Sequence, residues 1–427
     1  MADDPMQCHM ECATADSAAL NQRCRCAVVD IGRVHDALEA RVQSIGLADA
    51  ARRPHLFSPY ALFVDRVALD AMGAVAAAVF AVARNPGYIE HVLGHAPAIA
   101  RHDPGSVGGM LGLDFHLTVA GPRLIEINTN PGGLLLNALL IDAVQSCAPA
   151  AWSPWRTAVE AQDGAVSAWL EDARRQLGRV PERMAIVDVT PHEQFLYPEF
   201  ELYAQAFRER GVDAVIRAPG DLAAGPQGLH DANGRIDAVY NRLTDFALED
   251  PVSAPLAEAY LRHDLAVTPH PKAHAIFADK RNLAVLGHAD LLENWGVDAA
   301  MAARLAQAIP STRVVEPAIR EAFWTERDRY FFKPATGFGS RGSYRGDKLT
   351  RRTWDAMASS TYVAQVVAPP GLRIPHAGVS LKADVRCYVS ESGIQSFAAR
   401  LYQGQTTNMR TPGGGFAAVL TTPAPAV

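Results

Sequence analysis

The stretch that decides the fold is LDFHLTVAGPRLIEIN, residues 113–128, which is followed by TNPGG. The runs LDFHLTV and RLIEIN are joined by AGP, a glycine-containing connection of suitable length, so the sequence predicts a β-hairpin over 111–128. Side chains alternate between the two faces of a strand. We therefore expect Ile125 and Ile127 to face a core and Glu126 and Asn128 to share the other face, with Asp114 opposite them.

Aspartate, glutamate and asparagine supply the hard oxygen ligands that suit Mg²⁺. The solvated polar face of an ordinary antiparallel hairpin would carry the same residue types. The motifs that follow along the chain favour the metal interpretation, in which Asp114, Glu126 and Asn128 are the ligands.

Composition excludes several classes of protein. The chain has 427 residues, ordinary apolar content and a net charge of −6, which argues against binding to nucleic acid or to an anionic membrane surface. The N-terminus MADDPMQCHM has no apolar signal segment, and the apolar run 71–83 is too short to cross a bilayer. We therefore expect a cytoplasmic protein of two or three domains.

Four cysteines crowd the start of the chain: Cys8, Cys12, Cys24 and Cys26. With His9 nearby they could hold zinc, but the usual C-x2-C pairs are missing. Incidental thiols in an irregular tail are the alternative, and the sequence leaves both open.

The middle of the chain alternates between strand and helix patterns. MAIVDV (184–189) is a continuous apolar strand, 199–211 is an amphipathic helix, and 212–218 and 234–243 are further strands. This β-α-β alternation predicts a small parallel-sheet domain. The predicted organisation is an irregular tail (1–26), a helical region with the hairpin (27–183), the parallel-sheet domain (184–270) and a third region (271–427).

Two lysines in the third region lie where phosphate could be bound. In RYFFKPATGFGSRG (329–342) an apolar strand delivers Lys333 to a loop with Gly337, Gly339 and Ser340, whose backbone N–H groups could surround phosphate oxygens. A flexible glycine turn is the alternative. Lys280, within a predicted helix 272–287, could contact a second phosphate or be a plain surface lysine.

The chain has only five lysines: Lys272, Lys280, Lys333, Lys348 and Lys382. An arginine-rich genome would explain this. The alternative is that a compact ammonium is retained where a point charge must contact phosphate.

Two further segments carry polar chemistry. The strand TYVAQVV (361–367) could pair the main chain of Gln365, Val366 and Val367 with adenine edges, although a buried strand would look the same. Downstream, Arg386 shares a strand face with Asp384, and Arg400 stands on the next strand. These arginines could stabilise a transferring phosphoryl group or form ordinary salt bridges.

Together these motifs resemble the ATP-grasp ligases, in which two lysines, a glycine-rich loop and a hinge strand hold ATP and a D…E-x-N hairpin binds two Mg²⁺. The hairpin precedes the lysines here, as in the circularly permuted branch that includes eukaryotic-type glutathione synthetase and glutathionylspermidine synthetase. The resemblance covers roughly 110–137 and 235–420. It implies a circularly permuted α+β/α/β fold, with 271–427 as ATP-grasp lid and core and 184–270 as substrate domain.

The resemblance also implies a reaction. A small-molecule carboxylate and an amine would be joined through an acyl phosphate, with ATP converted to ADP and phosphate, and with Arg386 and Arg400 catalytic. YNR (240–242) is the expected carboxylate clamp, with Asn241 and a bidentate Arg242. The loop with Asn408, Gly413 and Gly414 is similar to a segment near the acceptor site. A homodimer is what the family suggests.

One departure leaves the substrates open. Eukaryotic glutathione synthetases place a metal-binding glutamate four residues after the loop lysine, and this chain has Gly337 there, so Asp114 is expected to supply the third ligand. Glutathione as product is therefore doubtful. A small-molecule kinase on the same scaffold and a non-catalytic nucleotide-binding protein remain as alternatives.

Overall fold

The computed structural model describes residues 12–25, 28–42, 53, 55–145, 150–337, 339, 341–376 and 378–423. Within these ranges the chain forms five β-sheets, of which three surround the candidate site. The combination of helices with several sheets confirms the mixed α and β character predicted from the sequence.

The largest sheet, the central sheet, contains the predicted hairpin, and its two strands, Met110–Thr118 and Gly121–Asn128, are antiparallel with Asp114 opposite Glu126. Across the sheet the order of strands is Leu62–Phe63, Gly415–Thr421, Gly393–Tyr402, Val379–Ser390, Met110–Thr118 and Gly121–Asn128, with Gly371–His376 beside Val379–Ser390 and Ser153–Pro154 beside Gly415–Thr421. The hairpin prediction is confirmed.

A β-bulge in this hairpin corrects one detail. Asp114 pairs with Glu126, but Phe115 pairs with Leu124, so Ile125 is the extra residue. Leu124 and Ile127 therefore point into the core, whereas Ile125 does not. Bulges re-aim side chains and free backbone groups from the ladder, and no alternation pattern in the sequence reports this one.

Helices cover the apolar faces of the sheets. Side chains of Arg66–Val82 and Ala299–Ala308 pack in one core with Leu113, Phe115 and Ile127 of the hairpin. The helices are Ser17–Arg23, Ile31–Val42, Arg66–Val82, Pro86–Leu93, Leu134–Asp142, Ala158–Leu177, Tyr197–Glu209, Ala254–Leu261, Pro271–Ala273, Asn282–Leu286, Ala289–Asn294, Ala299–Ala308, Arg320–Thr325 and Arg351–Ala356. Among the described residues no single helix could span a membrane; Arg66–Val82 and Pro86–Leu93 pass a length and composition test only as a pair, bent by 79°.

A second sheet, the parallel sheet, has the order Ala266–Thr268, Ala238–Asn241, Arg183–Val187 and Asp213–Arg217, with all pairs parallel. Met184 and Ile186 enter one core and Ala185 and Val187 another, which is why this strand reads as a continuous apolar run. The strand predicted over 234–243 is wrong in extent. It is two strands in different sheets, because Gly234–Ile236 belongs to a small antiparallel sheet with Ala223–Gly225 and Gly228–Asp231.

A third sheet, the lid sheet, is antiparallel and consists of Thr312–Val314, Tyr362–Val366, Tyr330–Pro334 and Tyr344–Arg345. The remaining pair, Val28–Val29 with Val144–Gln145, lies outside these layers.

The helix predicted over 272–287 is wrong as a single element. A π-helical turn, His274–Ala278, follows Pro271–Ala273, and the chain leaves helical geometry before Asn282–Leu286. In the break, the backbone N–H of Lys280 donates to the carbonyl of Ala335 in the loop after the strand Tyr330–Pro334 (3.0 Å). A long-range hydrogen bond thus replaces a helical one, which local periodicity cannot reveal.

Candidate active site

A cavity of about 540 Å³ lies where the three large sheets meet. Its walls come from the hairpin, the ends of the parallel strands, the lid sheet with its glycine loop, and the strands that carry the two arginines. Eleven predicted site residues line it: Glu126, Asn128, Arg242, Lys280, Lys333, Gly337, Gly339, Gln365, Val367, Arg386 and Arg400. The sequence motifs therefore converge on one place.

The polar face of the hairpin turns toward this cavity. Glu126 and Asn128 line it, whereas Asp114 is fully buried and is not among its lining residues. The Asn128 Nδ2 donates to Asp114 Oδ2 (3.1 Å) and lies 3.5 Å from the carbonyl oxygen of Gly112. Since both neighbours are acceptors, this atom is the amide nitrogen, and Asn128 Oδ1 is left for the cavity.

Two arginines hold the carboxylate of Asp114. Arg386 donates from Nε to Oδ1 (2.6 Å) and from Nη2 to Oδ2 (2.7 Å), and Arg400 Nη2 donates to Oδ2 (2.8 Å). Arg400 Nε also donates to Asp384 Oδ1 (2.7 Å). Burial raises the pKa of Asp114, but the two guanidinium groups outweigh it and hold that pKa below its ordinary value.

Both predicted phosphate lysines point into the cavity. Lys280 Nζ donates to the carbonyl of Gly337 (2.7 Å) and lies 3.3 Å from Glu126 Oε1. Lys333 Nζ donates to the carbonyl of the bulged Ile125 (2.8 Å) and to Gln365 Oε1 (2.9 Å). Burial lowers the pKa of Lys333 to about 8, although Glu126 opposes the shift.

The glycine loop after Lys333 and the hinge strand, Tyr362–Val366, each contribute part of the cavity lining. Gly337 and Gly339 line the cavity, and Ser340 lies outside the described residues. Gln365 is buried and its Nε2 donates to Thr312 Oγ1 (3.1 Å), so its amide bridges Lys333 and the neighbouring strand. Val366 belongs to the strand but does not line the cavity.

Arg242 follows the strand Ala238–Asn241 at the carboxyl end of the parallel sheet, where ligands of open α/β sheets are usually bound. Its Nη1 donates to Asn130 Oδ1 and to Tyr240 Oη (3.2 Å), and its buried Nε has no hydrogen-bond partner among the described residues. Asn241 does not line the cavity: its amide donates to the Pro269 carbonyl (3.3 Å) and accepts from the backbone of Leu243 (3.0 Å).

The predicted loop at 408–414 also lies outside the cavity lining. Asn408 Oδ1 accepts from the backbone of Arg410 (3.1 Å), and the carbonyl of Gly413 accepts from Ser58 Oγ (2.8 Å). Gly414 is enclosed by backbone oxygens, since an added Cβ would lie 2.6 Å from the carbonyl of Met409. These contacts are structural, and the substrate role of this loop stays a prediction.

Sequence reasoning missed Asp188, which directly follows the strand Arg183–Val187 and lines the cavity. Its carboxylate accepts from the backbone of Val189 (2.8 Å), and burial raises its pKa to about 6 although Arg242 opposes the shift. Its position at a parallel strand end, like that of Arg242, is the signal that could have identified it.

Two other groups were missed. His274 stacks on Phe246 with ring centroids 3.7 Å apart, and burial lowers its pKa to about 3, so it lines the cavity as a neutral ring. Glu199 is buried beneath the NPGG turn and accepts from the backbone N–H groups of Gly133 (2.7 Å) and Leu135 (3.1 Å), which fixes the start of the helix that follows the hairpin.

No group of three or more histidine, cysteine or carboxylate side chains within the described part of the chain is arranged to hold a metal ion. For the N-terminal cysteines, Cys8 and Cys26 lie outside the described residues, and Cys12 and Cys24 are buried with their sulfur atoms 3.9 Å apart. The predicted zinc alternative is therefore untested.

No family model matches the sequence, and no curated protein matches it by sequence. Solved structures do match. A glutathione synthetase-like effector from Globodera pallida in its apo form has a TM-score of 0.55 and 11% identity, with 90% of this chain and 96% of that one covered.

Two other similar structures are a putative gamma-glutamylcysteine synthetase from Methylobacillus flagellatus and the ATP-grasp ligase PsnB with a phosphomimetic precursor variant, Mg and ADP. The first has a TM-score of 0.47 and 9% identity, with 81% of this chain and 87% of that chain covered. The second has a TM-score of 0.32 and 16% identity, with 52% of this chain and 72% of that chain covered.

At such identities these similarities concern the fold alone, and only the Globodera effector is close enough to carry weight. The chain has an ATP-grasp-type fold, which confirms the resemblance at that level.

Proposed function

We propose that this protein is an ATP-dependent carboxylate–amine ligase that forms an amide bond and releases ADP and phosphate. The observation that carries the proposal is the convergence of Lys280, Lys333, Glu126 and Arg400 on one cavity from four separate parts of the chain. The description of the similar Globodera structure as glutathione synthetase-like supports an ATP-dependent ligase in general.

The donor set suits magnesium. Mg²⁺ is usually held by one or two carboxylates together with substrate phosphates and water, and the cavity presents the Glu126 carboxylate and the Asn128 carbonyl oxygen. Bound there with ATP, as one or two ions, Mg²⁺ would neutralise the charge of the β- and γ-phosphates. Asp114 was predicted as a third ligand, but its oxygens accept from Arg386 and Arg400.

The chain's own cations would hold the nucleotide. Lys280 and Lys333 now bond to backbone carbonyls of the glycine loop and the bulge, and they can exchange these neutral partners for phosphate oxygens. The main chain of the hinge strand, Gln365 to Val367, would face the adenine. The glycine loop would close over the phosphates and exclude water, because an acyl phosphate hydrolyses when water enters.

The other end of the cavity would bind the substrates. Arg242, with a free Nε in a buried position, would hold a substrate carboxylate. The reacting carboxylate would attack the γ-phosphate and displace ADP; the amine would then attack the acyl carbon and displace phosphate, with Arg400 stabilising the oxyanion. Asp188 would accept the proton that the amine loses, since its raised pKa suits a general base near neutral pH.

The finer architecture belongs to the same proposal. The hairpin precedes the lysines along the chain, as in the circularly permuted branch, and the parallel sheet would be the core of the substrate domain (184–270) between a helical region (27–183) and the ATP-grasp lid and core (271–427). The expected partners are small molecules, with neither nucleic acid nor membrane. The homodimer is carried over from the resemblance, and the cytoplasmic location stays an expectation from the sequence.

Incubation with Mg²⁺-ATP and pooled amino acids, small peptides and polyamines, followed by mass spectrometry, tests the proposal. A condensed product with ADP and phosphate, absent in Glu126→Gln, supports the ligase. AMP with pyrophosphate would exclude the acyl phosphate. A stable phosphorylated metabolite formed without any amine would indicate a kinase, and Mg²⁺-dependent ATP binding without turnover would indicate a scaffold.

A further inference from the structure

We propose that Asp114 is a positioning residue, which together with Asp384 fixes Arg386, Arg400 and Asn128 at the cavity wall, and that it is not a magnesium ligand. This inference rests on the proposed function for its catalytic consequence. The sequence context of Asp114 predicts a magnesium ligand, whereas the inference gives Asp114 a positioning role and gives Asp384 the same role.

The first observation is the number of hydrogen bonds that Asp114 already accepts. Asp114 accepts four hydrogen bonds: Oδ2 accepts from Arg386 Nη2, Arg400 Nη2 and Asn128 Nδ2, and Oδ1 accepts from Arg386 Nε. Each oxygen of an ionised carboxylate has about two acceptor positions, so Oδ2 is fully occupied. Oδ1 keeps one position, but the Asp114 side chain is fully buried, so a cation could reach it only if the packed arginines moved.

The second observation is the pairing of charged residues between neighbouring strands of the central sheet. Asp114 stands opposite Glu126 on one neighbouring strand and opposite Arg386 on the other, and Asp384 stands opposite Arg400 one row away. Asp114 and Glu126 are like charges, but each arginine stands opposite a carboxylate on a neighbouring strand, so the order of the strands brings these opposite charges together without any loop having to order.

A glycine makes room for this arrangement. Gly112 lies on the strand of Asp114, and an added Cβ there would lie 3.1 Å from Arg386 Cδ and 2.6 Å from Pro131 Cβ. The side chain of Arg386 therefore crosses the sheet over Gly112 to reach Asp114, and its Nη1 lies 3.4 Å from the carbonyl of Gly132 in the NPGG turn.

The third observation concerns the guanidinium donor of Arg400 that is left for the substrate. Arg400 uses Nε for Asp384 and Nη2 for Asp114, and Asp384 Oδ2 accepts from Thr407 Oγ1 (2.8 Å). The guanidinium is thereby held by two buried carboxylates while its side chain still reaches the cavity lining, so its Nη1 can face the reacting group. Donors fixed in advance are the ones that stabilise developing charge most effectively.

A measurement of nucleotide binding distinguishes a positioning role of Asp114 from a magnesium-ligand role. The Mg²⁺-dependent rise in thermal midpoint with ADP would be measured for the wild type, Asp114→Asn and Glu126→Gln. We expect Asp114→Asn to keep this rise and Glu126→Gln to lose most of it. Loss of the rise in Asp114→Asn to the same extent as in Glu126→Gln would overturn the inference and restore the metal role.

Turnover and coupling give two further readouts. With the substrates found in the product screen, Asp384→Asn is expected to lower kcat about 100-fold through misplacement of Arg400, with KM for ATP within about threefold of the wild type. If Asp114→Asn does not fold, Asp384→Asn still tests the positioning role. A rise in KM for ATP with unchanged kcat would contradict the positioning role.

A double variant makes the test independent of the reaction. Asp114→Asn leaves the buried guanidinium of Arg386 without its carboxylate partner, so adding Arg386→Gln should recover part of the lost thermal midpoint. If the losses of thermal midpoint in the two single variants simply add in the double variant, the positioning role of Asp114 is refuted. Asp163→Asn is the matched control, because Asp163 pairs with Arg210 at 2.7 Å on an exposed surface. If the wild type shows neither turnover nor Mg²⁺-dependent ADP binding, the proposed function fails, while this coupling still decides the role of Asp114.

Discussion

Lys333 should take up a proton when the nucleotide binds. Burial lowers its pKa to about 8, and the like charge of Lys280 adds to the shift although Glu126 opposes it. Its Nζ donates only to neutral oxygens, those of Ile125 and Gln365. At pH 8 about half of the molecules therefore carry a neutral Lys333. Phosphate oxygens at this position would favour the ammonium form and return the pKa toward its ordinary value of 10.5.

The size of the effect follows from these two values. If nucleotide binding restores the ordinary pKa, uptake is about 0.5 proton at pH 8, about 0.1 at pH 7 and about 0.9 at pH 9. The same linkage predicts that the affinity for ADP falls as the pH rises above about 8, since a proton must then be bound first.

Calorimetric titration of Mg²⁺-ADP in pairs of buffers with different ionisation enthalpies measures this uptake directly. Lys333→Arg should bind ADP with the pH-dependent uptake removed, because a guanidinium does not lose its proton in this range. Lys272→Arg is the control: Lys272 pairs with Asp103 (2.6 Å) outside the cavity lining. Uptake that does not change between pH 7 and pH 9, or that persists in Lys333→Arg, would refute the reasoning.

Three stability predictions follow from other buried groups. Asp188→Asn should stabilise the fold at pH 8 by up to about 3 kcal/mol, because a shift of about two units costs about 1.4 kcal/mol each when the carboxylate is ionised. The gain should shrink to about 0.5 kcal/mol near pH 4, where Asp188 is protonated in the folded state and partly protonated in the unfolded state, and urea denaturation at the two pH values checks this. Glu199→Ala should lower the free energy of unfolding by about 3 kcal/mol, measured by denaturant titration, because backbone donors at a buried helix start lose their acceptor; a change below about 0.5 kcal/mol would contradict it. Gly133→Ala should lower the thermal midpoint more than Gly178→Ala: both have positive φ, but only at Gly133 would the new Cβ meet a ring, that of Phe416 at 2.4 Å.

The hairpin was predictable because its information is local. Alternation fixes the face of Glu126 and Asn128, and the turn residues fix the pairing. The bulge at Ile125 was not predictable, although it supplies the carbonyl that Lys333 now contacts. A bulge changes the register by one residue at a cost that depends on tertiary contacts, and the sequence of the hairpin alone does not contain those contacts.

The roles of the acidic residues were harder to predict for a different reason. A carboxylate that binds magnesium and one that binds arginine have the same chemistry, so only the neighbours decide between them. Asp114 meets Arg386 across 272 positions of sequence, and that pairing depends on strand order. Asp188 was missed because its raised pKa arises from burial, which is a property of the assembled fold.

The cations of the cavity divide by how firmly they are held. Arg386 and Arg400 are bound to buried carboxylates, partners that cannot be exchanged without leaving uncompensated charge. Lys280 and Lys333 donate mainly to carbonyl and amide oxygens, which can give way to phosphate, and one of them can lose its proton near neutral pH. Lysine suits this second use because its ammonium is compact and its pKa responds to burial, whereas arginine stays charged. In a chain with only five lysines, the occurrence of two at this cavity is explained by that difference.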